Sequence, residues 1–254
     1  MAADGPQSFE LIVVGDEILT GKRQDKHLQQ VIKVLSDRYL QLYRASYVGD
    51  QLETLTRQLV QSLEHDHPVL CFGGIGATPD DNTREAAARA LSRPIERHPE
   101  AAKLIEQQFG DEAYPRRILM ADLPQGSALI PNPVNNIPGF SVDQHFFFPG
   151  FPSMAWPMLD WVLEQYFADT VAEASCEKSV RVFGQRESDL IPMMEQLIDD
   201  NGDAKLFSLP HMGEQPYIEI GFRGPVDSVQ LSYHALCQYL DQAHIRYQPA
   251  SAGC

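Results

Sequence analysis

Two neighbouring aspartates in a glycine-rich loop are the residues of this chain best suited to chemistry. Asp80 and Asp81 lie in residues 69–91, VLCFGGIGATPDDNTREAAARAL. Gly73, Gly74 and Gly76 follow a short apolar run and precede an alanine-rich segment of strong helix propensity. Strand, glycine loop and helix together aim backbone N–H groups and the positive end of a helix at an anion, usually phosphate. Two carboxylates in that loop would repel phosphate unless a divalent cation or a protonated substrate group lay between. The glycines alone suit a structural turn equally well. The carboxylates also have a plain alternative as helix caps, with Thr78 at N-cap, Pro79 at N1 and Asp81 at N3. The two readings are compatible.

Asp50 joins this pair as a candidate. Asp50, Asp80 and Asp81 near a pyrophosphate can hold Mg²⁺, Mn²⁺ or Co²⁺, which polarises a phosphorus centre and lowers the pKa of a bound water. Asp16 and Glu17 are further ligand candidates, although Asp16 also suits a turn cap. Arg117 and Lys22 are cations that could meet a phosphate, with surface solvation as the alternative. His65-Asp66-His67 has the composition of a metal trio, but it precedes a strand, at the opposite edge from the loops, and reads as a solvated loop. No Ser/His/Asp or Cys/His arrangement is visible.

Alternating strands and helices must position these groups. The apolar run FELIVV enters Gly15-Asp16-Glu17; helical spacing of Leu28, Val31, Ile32 and Leu35 predicts a helix over 26–37; a strand over 40–48 ends in Gly49-Asp50; and a helix over 51–65 leads to the strand at Val69. This order implies right-handed βαβ units and a mostly parallel sheet sandwiched by helices, an α/β class. Ligands of such sheets sit beyond the carboxyl ends of the strands. Four apolar runs end there in unusual loops: Gly15-Asp16-Glu17, Gly49-Asp50, Gly73-Gly74, and Pro149-Gly150 after Phe146-Phe147-Phe148. The intervening segment 93–137 holds a helix at Pro99–Phe109 and a short strand at Ala128–Ile130, and is expected to form a small lobe. A helix over 153–167 follows. Its Trp161 and methionines read as packing. The expected division is an α/β domain over 1–168, a linker at 169–177, an α+β domain of βαββα order over 178–245, and a frayed tail at 246–254.

Composition narrows the function. The chain has 254 residues, 43% hydrophobic and 22% charged, with a net charge of −15, which argues against nucleic acid held through its phosphates. From residue 169 onward 13 acidic residues face 6 basic ones, so the second domain is expected to pack or dimerise rather than bind RNA. No apolar run approaches a membrane span, and the first residues, MAADGPQSFE, show no signal-peptide pattern. Cys71, Cys176, Cys237 and Cys254 are scattered without metal-ligand spacing. Reduced thiols and a cytoplasmic, homo-oligomeric protein acting on a small phosphorylated ligand are the expectation, with no membrane or nucleic-acid partner.

The stretch GGIGATPDDNTREA resembles the signature of the molybdopterin-binding domain family, GG-x-G-[PA]-T-x-D-[DE]-x-T. That family comprises the MoaB/Mog-type molybdenum-cofactor biosynthesis proteins and the N-terminal part of competence/damage-inducible protein A, CinA. Gly15-Asp16-Glu17-Ile18-Leu19 with Gly21 resembles the family's GDE-[IL]-L-x-G, Asp25 a position that is usually Asp or Asn, and Val48-Gly49-Asp50 its VGD. Arg117, Asn132-Pro133, Pro138-Gly139-Phe140 and Pro149-Gly150-x-Pro152 resemble later blocks, while Arg181–Gly184 and Glu187-Ser188 resemble the opening of the KH-like middle domain of CinA. After Asp25 the family often has Thr-x or Thr-Asn, where this chain has Lys26-His27. The resemblance stops before the amidase domain of CinA, so that activity is not carried over. It implies molybdopterin or a nucleotide as ligand. Asp50 and Asp81 would be catalytic, and Gly15, Asp16, Glu17, Asp25, Gly73, Gly74, Gly76, Thr78, Thr83, Arg117, Pro149 and Gly150 would line the site. Two functions are open: metal-dependent hydrolysis of a nucleotide pyrophosphate such as ADP-ribose, or binding of a molybdopterin-like or adenylylated ligand without turnover.

Overall fold

A computed structural model describes residues 8–168, 170, 175–200 and 203–253. The chain divides into two compact units, Met1–Val171 and Ala172–Cys254.

The first unit is built on a six-stranded sheet. In chain order its elements are β1 (Ser8–Val14), α1 (Asp16–Leu19), α2 (His27–Ser36), β2 (Gln41–Val48), α3 (Leu52–Ser62), β3 (Val69–Phe72), α4 (Thr83–Ala90), β4 (Ile95–Arg97), α5 (Pro99–Phe109), β5 (Asp122–Pro124), β6 (Ala128–Ile130), β7 (Gly139–Val142), β8 (His145–Phe148) and α6 (Pro152–Phe167). The strand order is β2-β1-β3-β8-β7-β6. The first four strands are parallel, and β7 and β6 extend the sheet antiparallel. Every residue of β3 and β8 is buried, as strands covered by helices on both faces must be, and this explains their unbroken apolar sequences. Phe72 stacks on Phe148 with centroids 4.8 Å apart, and Phe140 on Phe147 at 4.4 Å. One polar pair sits in this interior: the Ser62 hydroxyl donates to the Leu59 carbonyl at 2.7 Å and lies 2.8 Å from His145 Nε2.

Several elements depart from expectation. Helix α2 buries His27, Val31, Val34 and Leu35 and leaves Ile32 exposed. Helix α4 begins at Thr83, with Asn82 at its N-cap. Thr78, Pro79 and Asp81 therefore do not cap it: they form a separate turn, closed by Asp81 N–H donating to the Thr78 carbonyl at 3.0 Å. The lobe at 93–137 contains an antiparallel pair, β4 with β5, that the sequence reading omits.

The second unit runs β9 (Ser175–Phe183), α7 (Glu187–Asp200), β10 (Lys205–His211), β11 (Tyr217–Pro225), α8 (Val226–Gln242) and β12 (Tyr247–Gly253). Its sheet is antiparallel, in the order β10-β11-β9-β12. With this fourth strand the unit has the βαββαβ arrangement of the ferredoxin-like split motif. Two boundaries are corrected: β9 starts inside the expected linker, and the expected frayed tail is strand β12, paired with β9. Tail residue 254, and linker residues 169 and 171–174, lie outside the described residues. Cys71 and Cys237 are free, whereas Cys176 is disulfide-bonded, against the expectation of reduced thiols throughout. Among the described residues no helix is long and apolar enough to cross a membrane.

Candidate functional site

Strands β2, β1, β3 and β8 are parallel neighbours, so the loops at their carboxyl ends share one edge of the sheet. Backbone bonds join them: Gly15 N–H donates to the Val48 carbonyl at 3.0 Å and Gly73 N–H to the Phe148 carbonyl at 2.9 Å. Gly15 and Gly73 thus belong to the frame of the site. Asp16 and Asp50 exchange bonds across it. The Asp16 amide donates to Asp50 Oδ2 at 2.9 Å, and the Asp50 amide to Asp16 Oδ1 at 3.3 Å. Asn82 Nδ2 donates to the Asp50 carbonyl at 2.8 Å, tying this pair to the start of α4.

The glycine loop is clamped from below. Gly73 and Gly74 adopt φ of 106° and 68°, a region that favours glycine. A Cβ on Gly73 would collide with the Val14 carbonyl and one on Gly74 with Thr83 Oγ1. Thr83 is fully buried, its hydroxyl donating to the Gly73 carbonyl at 2.9 Å and its amide to the Gly74 carbonyl at 3.0 Å. Arg84 reaches back with Nη2 to the Gly76 carbonyl at 2.7 Å and with Nη1 to the Leu119 carbonyl. Burial holds the Arg84 guanidinium below its usual pKa, and the charges of Asp81 and Asp122 oppose that shift. Sequence reading passed over Arg84 because it lies inside an alanine-rich helix. The available signal was its place one residue beyond the last threonine of the loop motif.

The predicted ligand residues distribute over two cavities. The larger, of about 660 Å³, takes Gly74, Gly76, Thr78, Asp81, Arg117, Pro149 and Gly150 from the prediction and adds Arg116, Met120, Asn135 and Phe151. The smaller, of about 280 Å³, takes Glu17, Asp25 and Gly150 and adds Arg23, Lys26, His27 and Phe151. Gly150 and Phe151 are common to both. Asp16, Lys22, Asp50 and Asp80 line neither. Asp25 is committed to structure: its carboxylate accepts from the amides of His27 (2.8 Å) and Leu28 (3.1 Å), capping α2, and from the Tyr47 hydroxyl at 2.8 Å. Arg117 pairs with Glu112 at 2.5 Å and covers the Phe109 ring, its Cζ 4.4 Å from the centroid. The His65–His67 segment joins α3 to the start of β3, at the opposite edge, where both imidazoles lie beside Tyr43.

The electrostatics of the edge are acidic. Burial raises the Asp50 carboxyl above its usual range, and the charges of Asp16, Glu17 and Asp80 add to this while the Asp16 amide opposes it. The Thr78 hydroxyl and the Asp80 amide hold the fully exposed Asp80 carboxyl below its usual range. Asp81 Oδ2 accepts from the Thr78 amide at 2.8 Å and from the Thr78 hydroxyl. Among the described residues no group of three or more His, Cys, Asp or Glu could hold a metal ion. Asp50, Asp80 and Asp81 therefore do not assemble the expected three-carboxylate metal set: Asp50 faces Asp16, and Asp81 faces Thr78.

A family model described as "Probable molybdopterin binding domain" matches residues 10–169. A CinA-like protein of Shewanella loihica is 30% identical over 224 residues, covering 84% of this chain and 51% of that protein. One from an Anaeromyxobacter species, strain Fw109-5, is 30% identical over 203 residues, with 77% and 49% covered. The chain spans about half the length of the curated relatives it matches. Among solved structures, the protein CinA of unknown function from Thermoplasma acidophilum aligns with a TM-score of 0.58 at 27% identity, covering 63% of this chain and 97% of that one.

Proposed function

The chain belongs to the molybdopterin-binding domain family, and on that premise we propose that its first unit binds a phosphorylated ligand carrying a planar ring, a molybdopterin or an adenylylated compound, in the larger cavity. One observation carries this reading. The cavity is walled on one side by the loop from Gly74 to Thr78 and on others by Arg116, Arg117 and the apolar Phe109, Met120, Ile137 and Phe151. Loop amides and guanidinium groups suit an anion, apolar side chains suit a ring, and about 660 Å³ is the size of a small-molecule site. The clamp of Thr83 and Arg84 holds the loop in place before a ligand arrives, which lowers the ordering cost of binding.

Thermal unfolding against a panel of pterins and nucleotides tests the reading. A ligand at about 100 times its Kd stabilises by about 2.7 kcal/mol, a rise of about 5–10 °C in Tm for a domain of this size. No shift from any phosphorylated ligand at millimolar concentration would refute it.

A second reading is hydrolysis of a nucleotide pyrophosphate such as ADP-ribose. Its support is the Asp50 carboxyl, raised by burial and by neighbouring carboxylates as proton-transfer groups commonly are. Phosphate release from ADP-ribose, assayed with Mg²⁺, Mn²⁺ or Co²⁺ added and in Asp50→Asn and Asp81→Ala proteins, decides it. Turnover that survives both substitutions would sink the assignment, and tight binding without turnover would leave the first reading alone.

A further inference from the structure

The sheet of the second unit has two unlike faces. Val180, Val182, Ile218, Ile220 and Phe222 are buried in a core with residues of α7 and α8. Side chains alternate along a strand, so the neighbours of these residues take the opposite face. There Tyr217 pairs in register with Phe183 on one side and with His211 on the other. The three rings form a row across β10, β11 and β9. His211 stacks on Tyr217 at 4.5 Å and 17°, and Phe183 lies 6.0 Å from Tyr217. Two guanidinium groups flank the row: Arg181 Cζ is 5.2 Å from the Tyr217 centroid, and Arg246 Cζ is 5.0 Å from that of Phe183.

Charge is segregated in the same way. This face carries Arg181 and Arg246 at one end and the register partners Lys205 and Arg223 at the other. Against them stand Glu177 and Glu219, and Glu219 accepts from the Ser179 hydroxyl at 2.7 Å. The acidic excess lies elsewhere, with Glu187, Asp189 and Glu195 on α7 and Asp227 and Asp241 on α8. Arg181, Arg223, Lys205 and His211 are exposed.

We propose that this face binds single-stranded nucleic acid, with bases stacking on the Phe183–Tyr217–His211 row and phosphates meeting the four basic side chains. Aromatic side chains on an open sheet, flanked by arginine, take unpaired bases because every base presents a π-face. A duplex hides those faces, so the strand must be single. Arg223 lies six residue steps along β11 from Tyr217, about 20 Å of strand and longer than one nucleotide. The ligand is therefore an oligonucleotide, at a surface separate from the glycine-loop cavity.

Fluorescence anisotropy of labelled 12-nucleotide RNA and DNA strands with the full chain at low salt tests this. Saturable binding in the micromolar range is expected. Tyr217→Ala and Phe183→Ala should each weaken it about tenfold, while Tyr217→Phe should retain it. Arg181→Gln and Arg246→Gln should each reduce the slope of log K against log salt by about 0.7, a readout that does not depend on whether the alanine variants fold. Ligand-induced thermal shifts of the first unit should be unchanged in all of these proteins. No binding of either strand below about 100 µM, ring variants that fold and bind as tightly as the parent, or equal displacement by a poly-glutamate peptide would each overturn the proposal.

Discussion

Substituting Gly76 by alanine tests how the glycine loop holds its shape. The φ of Gly76 is not in the left-handed region, so backbone strain is not the issue. A Cβ there would lie 2.5 Å from Asp81 Oδ2, well inside van der Waals contact, and one of the two must move. The carboxylate ends a short side chain and can swing away, but it is pinned by the Thr78 amide at 2.8 Å and by the Thr78 hydroxyl. Hydrogen bonds to an ionised acceptor contribute about 1.5–3 kcal/mol each. Thr78 is exposed and Asp81 half-buried, so solvent replaces much of that, leaving about 1 kcal/mol per bond. Gly76→Ala should therefore destabilise the first unit by about 2 kcal/mol, a fall of about 4–8 °C in Tm. The decisive measurement is a double-mutant cycle in urea. If the clash with the carboxylate is the cause, Gly76→Ala should be nearly neutral in an Asp81→Ala background, with a coupling energy of about 1–2 kcal/mol. Equal costs in the two backgrounds would refute the reasoning and place the strain in the loop backbone.

Asp25→Ala removes the cap of α2 and should cost about 1 kcal/mol, read as a lower urea midpoint with an unchanged slope; no change would mean that other groups satisfy the His27 and Leu28 amides. His145 is buried, and burial lowers its pKa to about 4, below the unfolded value of about 6.5. The unfolded chain then binds the extra proton first, so stability should fall as pH drops from about 6.5 to 4, by about 3 kcal/mol from this residue, and level off below. A His145→Gln protein should show a shallower acid loss, and identical pH profiles would refute that assignment.

The parallel half of the first sheet was legible because strands buried on both faces must be continuous apolar runs, as VLCF and HFFF are. The shared edge of the four loops followed, since neighbouring parallel strands send their carboxyl-terminal loops to one side. What the sequence hid was contact made at a distance. Thr-Pro-Asp-Asp reads as a helix cap by local rules, yet α4 starts later because the Thr83 hydroxyl is drawn under the loop by the Gly73 carbonyl. The division of the site into two cavities around Gly150 and Phe151 depends on where a single loop folds, and no periodicity encodes that.

Strand β12 shows the opposite failure. Gln-Pro-Ala-Ser-Ala-Gly has low strand propensity and reads as a tail, but β9 offers it a free edge and pairing overrides local preference. Pro249 is tolerated because β12 is itself an edge strand, with a register shift beside the proline. The same strand pairing sorts the charge of the second unit by face. A sum along the chain gives 13 acidic residues against 6 basic from residue 169 onward, and such a sum cannot see faces. Folding sorts residues by parity along each strand: Val180, Val182, Ile218, Ile220 and Phe222 at even positions face the helices, where Lys178 meets the Tyr233 ring of α8, and the odd positions gather Arg181, Phe183, Tyr217 and Arg223 on the other side. The carboxylates on α7 and α8 lie across that sheet, which leaves the basic and aromatic face to act as a surface of its own.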